Sequence, residues 1–396
     1  MNILMVAPEP IFEPRGTPLS VVGRLKALSD VGHRIDLVTY PMGMDVSIKG
    51  VRILRIPPIF WIKKVRIGPS FEKIPLDLLL LVKTFIMLLK KDYDLIHTHE
   101  EACFWGTLFS KIFKIPHIYD MHSSLPQQFK NFQFANLKIV VSIFNMIEMW
   151  VIKNSSCVIT ICPELFNYVT RLGFGGKSVM IENVIDYGMI FKQIDRSDEI
   201  RESLRLQGRR VALYTGTFEP YQGLDLLLES SVGVLSEFNS VVFVLVGGRP
   251  EQIEHYKKIA VEKGVEDHFI FTGQVLPEEV NSYVRCADIL LSPRMSGTNT
   301  PLKIYSYMRS GVPIVATDLI THTQVLNQDS ALLTEPSPES FGKGILLLLK
   351  NKRVAARVGR NAKRVAEEKY SYSVYVEKLK KALNRAMEKI CVEYAE

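Results

Sequence analysis

Short apolar segments alternate with longer amphipathic ones along almost the whole chain. In the first half the short segments are "NILMVAP", "RIDLVTY", "VRILRIP", "DLIHTH", "HIYDMH", "CVITIC" and "VMIEN". In the second half they are "VALYTGT", "VVFVLVGG", "FIFTGQV", "ADILLSP", "PIVATD" and "ALLTE". These segments are rich in Val, Ile and Leu and predict buried strands, while "PLSVVGRLKALSDVG" and "LDLLLLVKTFIMLLKK" predict helices. This alternation favours parallel sheets covered by helices on both faces.

The strand pattern stops and restarts around a polar, charged stretch, "KQIDRSDEIRESLRLQGRR". A chain of 396 residues is also too long for one ordinary core. We therefore predict two doubly wound α/β domains, residues 1–190 and 191–371, followed by a charged helical tail, 372–396. Ligands of such sheets bind beyond the carboxyl ends of the strands, so the loops at those ends are the candidate sites.

The net charge of +7 and pI of about 9.0 favour anionic partners, namely nucleic acid, lipid headgroups or phosphorylated small molecules. No recognised nucleic-acid module accompanies the charge, so nucleic acid is disfavoured. The five cysteines are scattered without a CxxC pair, which predicts a reducing, cytoplasmic location without disulfides or a zinc site. We expect neither a signal peptide nor a membrane-spanning segment.

The segment "SPRMSGTNTPLK" is the strongest candidate for an anion site. Arg294 and Lys303 bracket a glycine–threonine loop at a predicted helix start, where free N–H groups and the helix dipole favour phosphate. The alternative is an ordinary capped helix, with Thr300 as N-cap and Pro301 as the first helical residue. That alternative leaves both cations unexplained.

Loops of the first half carry weaker signals. Gly16 in "EPRGTPLS" fits either a plain turn or a close backbone approach to a ligand, and the absence of GxGxxG disfavours a dinucleotide dehydrogenase. His97 and His99 in "HTHEE" could ligate a metal, but without a further partner a structural or substrate-orienting role is favoured over zinc. His122 in "YDMH" is either a packed histidine or a ligand-facing one.

Taken in order, these segments resemble the retaining glycosyltransferases of family 4, which have the GT-B fold. The resemblance covers essentially the whole chain, from "MVAPEP…RGTPLS" through "ALYTGTFEPYQGLDLLLES" to "TPLKIYSYMRSGVPIVATD". It implies two Rossmann-like domains facing a central cleft, with the tail from about Tyr372 crossing back to the first domain. It also implies a nucleotide-diphosphate sugar as donor substrate, no cofactor and no metal.

The resemblance assigns roles to particular positions. His122 would orient the donor sugar, and Arg294 and Lys303 would neutralise the diphosphate. Donor-binding positions would be Gly216, Thr217, Gln222, Gly248, Gly273, Gln274, Val275, Gly297, Thr298, Asn299, Thr300 and Ser306. Acceptor-side positions would be Arg15, Gly16, Thr17, His99 and Glu100.

The chain departs from the family pattern at four charged positions. Two glutamates that contact donor sugar and ribose are replaced by Thr298 and Ser306, and an arginine and a lysine of the first donor loop by Thr217 and Gln222. The implied function is transfer of a sugar to an acceptor glycan or glycolipid with retention of configuration. The alternative is a non-catalytic nucleotide-sugar or glycan-binding protein. A phosphorylase would need a much longer chain and a pyridoxal lysine.

Basic and aromatic residues are interleaved between Arg52 and Lys73. The cations are Arg52, Arg55, Lys63, Lys64, Arg66 and Lys73, and the aromatic residues are Phe60, Trp61 and Phe71. This mixture favours an anionic membrane surface, and "FKNFQFANLK" (129–138) has a similar character. Solvated lysines around one core strand are the alternative. A peripheral position at the inner face of the membrane follows from the first interpretation.

Overall fold

The computed structural model describes residues 1–13, 16–65, 70–124, 138–184 and 195–393. Its chain divides into two compact units. The first unit consists of Met1–Ile185 together with Tyr372–Glu396, and the second of Asp186–Ser371. The C-terminal helix is therefore part of the first unit.

The first unit contains a seven-stranded parallel sheet with the strand order β3-β2-β1-β4-β5-β6-β7. Its strands are β1 (Asn2–Ala7), β2 (Arg34–Thr39), β3 (Val51–Arg55), β4 (Leu95–His99), β5 (His117–Met121), β6 (Cys157–Thr160) and β7 (Ser178–Met180). Its helices are α1 (Gly16–Asp30), α2 (Lys73–Lys90), α3 (Cys103–Phe113), α4 (Lys138–Asn154) and α5 (Pro163–Arg171), with the C-terminal helix Tyr372–Glu393.

The second unit contains a six-stranded parallel sheet with the order β10-β9-β8-β11-β12-β13. Its strands are β8 (Arg210–Thr215), β9 (Val241–Val246), β10 (Phe269–Gly273), β11 (Ile289–Ser292), β12 (Ile314–Thr317) and β13 (Leu332–Thr334). Its helices are α6 (Ser197–Ser203), α7 (Leu224–Glu237), α8 (Pro250–Glu262), α9 (Val280–Cys286), α10 (Leu302–Ser310), α11 (Ile320–Thr323), α12 (Pro338–Lys350) and α13 (Lys352–Lys369). The C-terminal helix Tyr372–Glu393 is α14.

Both sheets are doubly wound, as predicted. In each, the first strand of the unit lies next to the fourth, so the strand order reverses there. Ligands of such sheets bind beyond the strand ends at this point. Nearly every residue of the central strands is buried, which explains their continuous apolar sequence. The register pairs His99 with Asp120 at the carboxyl ends of β4 and β5.

No helix within the described ranges is long and apolar enough to cross a membrane. The helix α14 packs on β6 and β7 and buries Tyr375, Leu379 and Leu383 there. The tail is thus integrated into the core of the first unit.

Candidate functional site

The loop before α10 positions two cations, which together with the glycines near them we call the anion cluster. Lys303 lies in the first turn of α10, and its Nζ lies 3.7 Å from the centroid of the Tyr214 ring. The side chain as a whole is half-buried, but Nζ itself is buried and has no hydrogen-bond partner among the described residues. A Cβ added at Gly216, the residue after β8, would lie 3.6 Å from this Nζ.

The second cation of the anion cluster is fixed by its own loop. The Arg294 guanidinium lies 5.1 Å from the centroid of the Tyr221 ring, and its Nε donates to the Ser296 carbonyl at 2.8 Å. Gly297 has φ 118°, and a Cβ there would meet the Nη2 end of the Arg294 side chain. The loop therefore needs glycine for its backbone conformation.

The electrostatics of the anion cluster are unbalanced. Burial, and then the charge of Arg294, holds the pKa of Lys303 well below its usual range. Burial likewise lowers the pKa of Arg294. Both shifts disfavour the charged forms. A bound anion at this position would reverse them, because it supplies the missing opposite charge.

Neutral groups lie beside the two cations. The buried Thr300 Oγ1 and Gln222 Oε1 have no hydrogen-bond partner in the described ranges, while Gln222 Nε2 donates to Thr217 Oγ1 at 3.4 Å. The alternative interpretation of Thr300 as an N-cap is wrong, because α10 begins one residue after Pro301 and the Thr300 side chain makes no cap. Pro301 holds the N-cap position and fixes the backbone instead.

Other predicted donor positions are engaged within the second unit. Ser306 donates to the Lys303 carbonyl at 2.9 Å, and the Thr298 carbonyl accepts from Gln324 at 2.7 Å. A Cβ at Gly248 would meet the Phe218 ring at 2.5 Å, so close packing alone requires glycine there. Gly273 has φ 74° and its carbonyl accepts from Gly247. Gln274 is exposed, whereas Val275 and Asn299 are half-buried.

In the first unit, three histidines and an aspartate form what we call the histidine cluster: His97, His99, His122 and Asp120. All four are buried. His97 Nε2 lies 3.2 Å from Asp120 Oδ2, and His122 Nε2 lies 3.4 Å from Asp120 Oδ1. His99 Nδ1 and His122 Nε2 are 3.0 Å apart, so one imidazole donates to the other.

The fully buried Arg24 of α1 balances the charge of this cluster. Its Nε donates to Asp120 Oδ2 at 2.7 Å, its Nη1 to the Tyr375 hydroxyl at 2.5 Å and its Nη2 to the Ile181 carbonyl at 3.2 Å. Although burial opposes it, Arg24 holds the pKa of Asp120 well below its usual range. Burial lowers the pKa of His122 to about 4. The cluster therefore combines a carboxylate with a neutral His122.

Asp120 is the third potential metal ligand that the sequence did not reveal beside His97 and His99. The ligand atoms of these three residues lie within 4.8 Å of one another. The carboxylate, however, already has a cationic partner in Arg24. A metal ion would have to compete with this buried guanidinium.

The acceptor-side positions meet around Glu100. Glu100 Oε1 accepts from Thr17 at 3.4 Å and Oε2 from Ser123 at 3.3 Å, which links the start of α1 to the loops after β4 and β5. Glu100 has φ 47°, an uncommon conformation for a residue with a side chain. Gly16 begins α1, and Arg15 lies outside the described residues.

Four participants were not identified from the sequence: Tyr214, Tyr221, Arg24 and Tyr375. The two tyrosines lie inside the quoted "ALYTGTFEPYQG" segment, but only the fold places their rings against Lys303 and Arg294. Arg24 lies between apolar residues of α1 that face the core. An arginine at such a position signals a buried acidic partner.

The basic segment Arg52–Lys73 carries less free charge than its composition suggests. Arg52, Arg55 and Lys73 pair with Asp36, Asp45 and Glu101 at 2.7, 3.0 and 3.0 Å, respectively. Lys63 and Lys64 are exposed, and Arg66 and most of 129–138 lie outside the described residues. Its three aromatic side chains, Phe60, Trp61 and Phe71, are strongly exposed.

Two family models match the chain. Residues 16–188 match the model described as Glycosyltransferase Family 4, and residues 195–365 match the model described as Glycosyl transferases group 1. The two matches take in most of both units.

Similar proteins match over nearly the full length. An uncharacterized glycosyltransferase of Methanocaldococcus jannaschii is 24% identical over 343 residues, covering 81% of this chain and 84% of its own. A phosphatidyl-myo-inositol mannosyltransferase of Mycolicibacterium smegmatis is 23% identical over 391 residues, covering 94% and 91%.

Solved structures share the fold. Anabaena HepE in complex with UDP has a TM-score of 0.75 at 17% identity, covering 97% of this chain and 100% of its own. Sucrose-phosphate synthase from Thermosynechococcus elongatus has a TM-score of 0.78 at 19% identity, covering 98% and 99%. These likenesses confirm the predicted GT-B fold.

Proposed function

We propose that the chain is a GT-B glycosyltransferase that moves a hexosyl group from a nucleotide-diphosphate sugar to an acceptor hydroxyl with retention of configuration, as the two family matches support. The observation that carries this proposal is the Lys303 amine, which is buried near the charge of Arg294 without a hydrogen-bond partner in the described ranges. Buried charges normally have partners. A diphosphate supplies one, and the UDP complex of HepE supports that choice.

The transfer reaction depends more on stabilising the negative charge of the leaving diphosphate than on a basic side chain. As the bond between the anomeric carbon and the diphosphate oxygen breaks, negative charge develops on the leaving group. Lys303, Arg294 and the N–H groups of the loop before α10 would stabilise it in a partly desolvated place. The acceptor oxygen forms the new bond on the same face, and its proton passes to the departing phosphate oxygen.

His122 would contact and orient the donor sugar. Because its imidazole is neutral, it would act by hydrogen bonding and not by charge. His99 and Asp120 hold the ring through Nε2, so the orientation of the ring is set before substrate arrives. This favours a role in positioning the sugar over a role in proton transfer.

We propose a glycan or glycolipid acceptor, presented to a cytoplasmic protein at the membrane surface. The similarity to phosphatidyl-myo-inositol mannosyltransferases supports a lipid-linked acceptor. The exposed Lys63 and Lys64 and the neighbouring aromatic residues support contact with an anionic surface.

The test begins with a thermal-shift screen of UDP-, GDP-, ADP- and CMP-linked sugars, because a ligand of the folded state raises its melting temperature. The stabilising donor is then incubated with lipid and glycan acceptors, and release of the nucleotide and the anomeric configuration of the product are measured. We expect turnover with retention, strongly slowed in Lys303→Ala. Absence of a shift with every donor would contradict the proposal.

A second candidate is a non-catalytic nucleotide-sugar-binding protein. Two uncharged residues, Thr298 and Ser306, stand where the family it resembles has glutamates, and the Ser306 hydroxyl is bonded to its own helix. This candidate predicts donor binding by calorimetry without turnover for any acceptor.

A further inference from the structure

Helix α2 exposes an apolar face to solvent. Its inner side packs into the core of the first unit through Leu76, Leu80, Met87 and Leu88. A helix on a protein surface normally turns polar residues outward. The outward residues of α2 are instead Ile74, Leu78, Val82, Phe85, Ile86 and Leu89, all of them exposed. At 100° per residue they fall within an arc of about 120° that contains no charged side chain.

This apolar surface extends beyond α2. The Phe85 ring contacts Phe109 and Phe113 of α3, with ring centroids 5.6 and 6.0 Å apart, so the two helices lie side by side. Leu108 and Ile112 continue the exposed apolar surface on α3. We call the outer side of α2 and α3 the apolar face. Its area is contiguous, which distinguishes it from the single exposed apolar residues found on any protein.

Helix α4 adjoins the apolar face through α3. Lys111 of α3 lies over the ring of Trp150 on α4, at 5.5 Å from its centroid. Trp150, Met146 and Ile143 of α4 are exposed in turn. In the chain before α2, Phe60 is 85% exposed and its ring packs edge-to-face against Trp61.

The charges around this surface are mainly positive. Lys63 and Lys64 lie before α2, Lys90 ends it, and Lys111 and Lys153 lie on α3 and α4, all exposed. Asp92 and Asp94 follow α2 as the exposed acidic residues nearest to it in sequence, and Asp94 accepts from the Asn2 backbone. Apolar and aromatic side chains surrounded by lysines match the headgroup region of an anionic bilayer, where rings sit at the boundary and lysines contact phosphates.

We propose that the apolar face docks on an anionic lipid bilayer, with the outer side chains of α2 entering the headgroup–acyl boundary. Because its inner side is packed in the core, α2 would lie along the bilayer surface and insert only these side chains. The attachment therefore has an apolar component that salt does not screen, in addition to the electrostatic component from the lysines. Neither component involves the anion cluster, so bilayer docking is separable from donor binding and transfer.

The test uses the full-length protein with vesicles of phosphatidylcholine alone, or of phosphatidylcholine mixed with phosphatidylglycerol. Ile74→Gln, Leu78→Gln and Leu89→Gln are combined in one variant, since these side chains are the most exposed of the α2 face. We expect the parent protein to co-sediment with the mixed vesicles and to remain partly bound in high salt. The triple variant should bind them at least about tenfold more weakly, because the burial of a four-carbon apolar side chain is lost at three positions.

Two control variants separate the components. Lys63→Glu with Lys64→Glu should weaken the preference for anionic vesicles, although Lys90, Lys111 and Lys153 remain, and should leave the salt-resistant part. Val232→Gln with Val261→Gln changes exposed apolar residues of the second unit and should leave vesicle binding at the parent level. A native-like melting transition and unchanged nucleotide binding establish that each variant is folded.

Three outcomes would overturn the proposal. The triple variant could bind vesicles as well as the parent protein does. The parent protein could bind no vesicles. Analytical ultracentrifugation without lipid could show that the parent protein is a dimer and the triple variant a monomer, which would assign the apolar face to a second copy of this chain. A blue shift of tryptophan emission on vesicle addition, lost in the triple variant, would instead support the proposal, since Trp150 is exposed on α4 beside Lys111 of α3.

Discussion

Replacing Lys303 by methionine should stabilise the protein and abolish its response to donor. Lys303→Met keeps most of the length and apolar contact of the side chain but removes the amine. In the ligand-free protein that amine is buried without a hydrogen-bond partner in the described ranges. Its charge is also repelled by Arg294, so its removal relieves an unfavourable interaction.

The size of the effect follows from two opposing contributions. A buried polar group without a partner costs about 1–3 kcal/mol. The contact of Nζ with the Tyr214 ring, at 3.7 Å, returns part of this, since a desolvated cation–π contact contributes about 0.5–2 kcal/mol. We therefore expect a net gain of about 1 kcal/mol in the free energy of unfolding, which raises the melting temperature by about 2–4 °C for a unit of this size.

Donor binding should change in the opposite direction. Loss of one group that stabilises an oxyanion typically costs about 10–1,000-fold. The parent protein at 100 times its dissociation constant gains about 2.7 kcal/mol from the ligand, and this gain should largely disappear in Lys303→Met. In the parent protein, binding should also take up a proton, because the diphosphate raises the lowered pKa of Lys303. Affinity should then fall as the pH rises.

Differential scanning fluorimetry with and without the stabilising nucleotide measures both effects. Calorimetry in two buffers of different ionisation enthalpy measures the proton uptake. Lys343→Met is the matched control, because that lysine is exposed on α12 and should change neither quantity. A Lys303→Met protein that melts lower than the parent protein and still responds fully to nucleotide would contradict this prediction, since the amine would then stabilise the fold and take no part in binding the ligand.

Four further predictions follow. Arg294→Ala should weaken nucleotide binding and slow transfer by about 10–1,000-fold, measured by calorimetry and nucleotide release; parent-like values would exclude a phosphate role. His122→Ala should lose transfer but keep nucleotide affinity and a native-like melting transition, whereas failure to fold would show a packing role. Arg24→Met should lower the free energy of unfolding by about 3–5 kcal/mol by leaving Asp120 uncompensated, and adding Asp120→Asn should restore part of it in a denaturation series. The pKa of His117 is lowered by burial from 6.5 to about 3, so the unfolded state binds the proton first and stability should fall as the pH drops from 6.5 towards 3, with a shallower slope in His117→Gln.

The fold could be predicted from the sequence because its signals are local and repeated. Each strand of both sheets was recognisable as a short apolar segment between amphipathic helices, and the strand order follows the usual winding of such units. The loop before α10 was recognisable for the same reason, since Arg294, Gly297 and Lys303 are close in sequence.

The partners of the site residues could not be predicted, because they depend on contacts between distant parts of the chain. Arg24 is 96 residues from Asp120 and 351 residues from Tyr375, and no local pattern joins them. The charge available in Arg52–Lys73 was overestimated for the same reason, since Asp36 neutralises Arg52 only after β2 and β3 pair. The residue types suggested Thr300 as the N-cap of α10, but the N-cap position lies one residue further along the chain, at Pro301.

The two clusters differ in a way that bears on function. In the histidine cluster the buried charges compensate each other within the first unit, because Arg24 pairs with Asp120. The pKa of His122 is too low for a second positive charge there at neutral pH. In the anion cluster two cations face each other across a glycine loop, and the nearby Thr300 and Gln222 side chains contribute no charge. A buried positive charge without a partner costs stability. A bound anion would supply the missing partner and offset this cost. In the proposed donor site, Thr217, Gln222, Thr298 and Ser306 are uncharged, so Lys303 and Arg294 would carry the neutralisation. The donor site should therefore be unusually sensitive to the loss of either one.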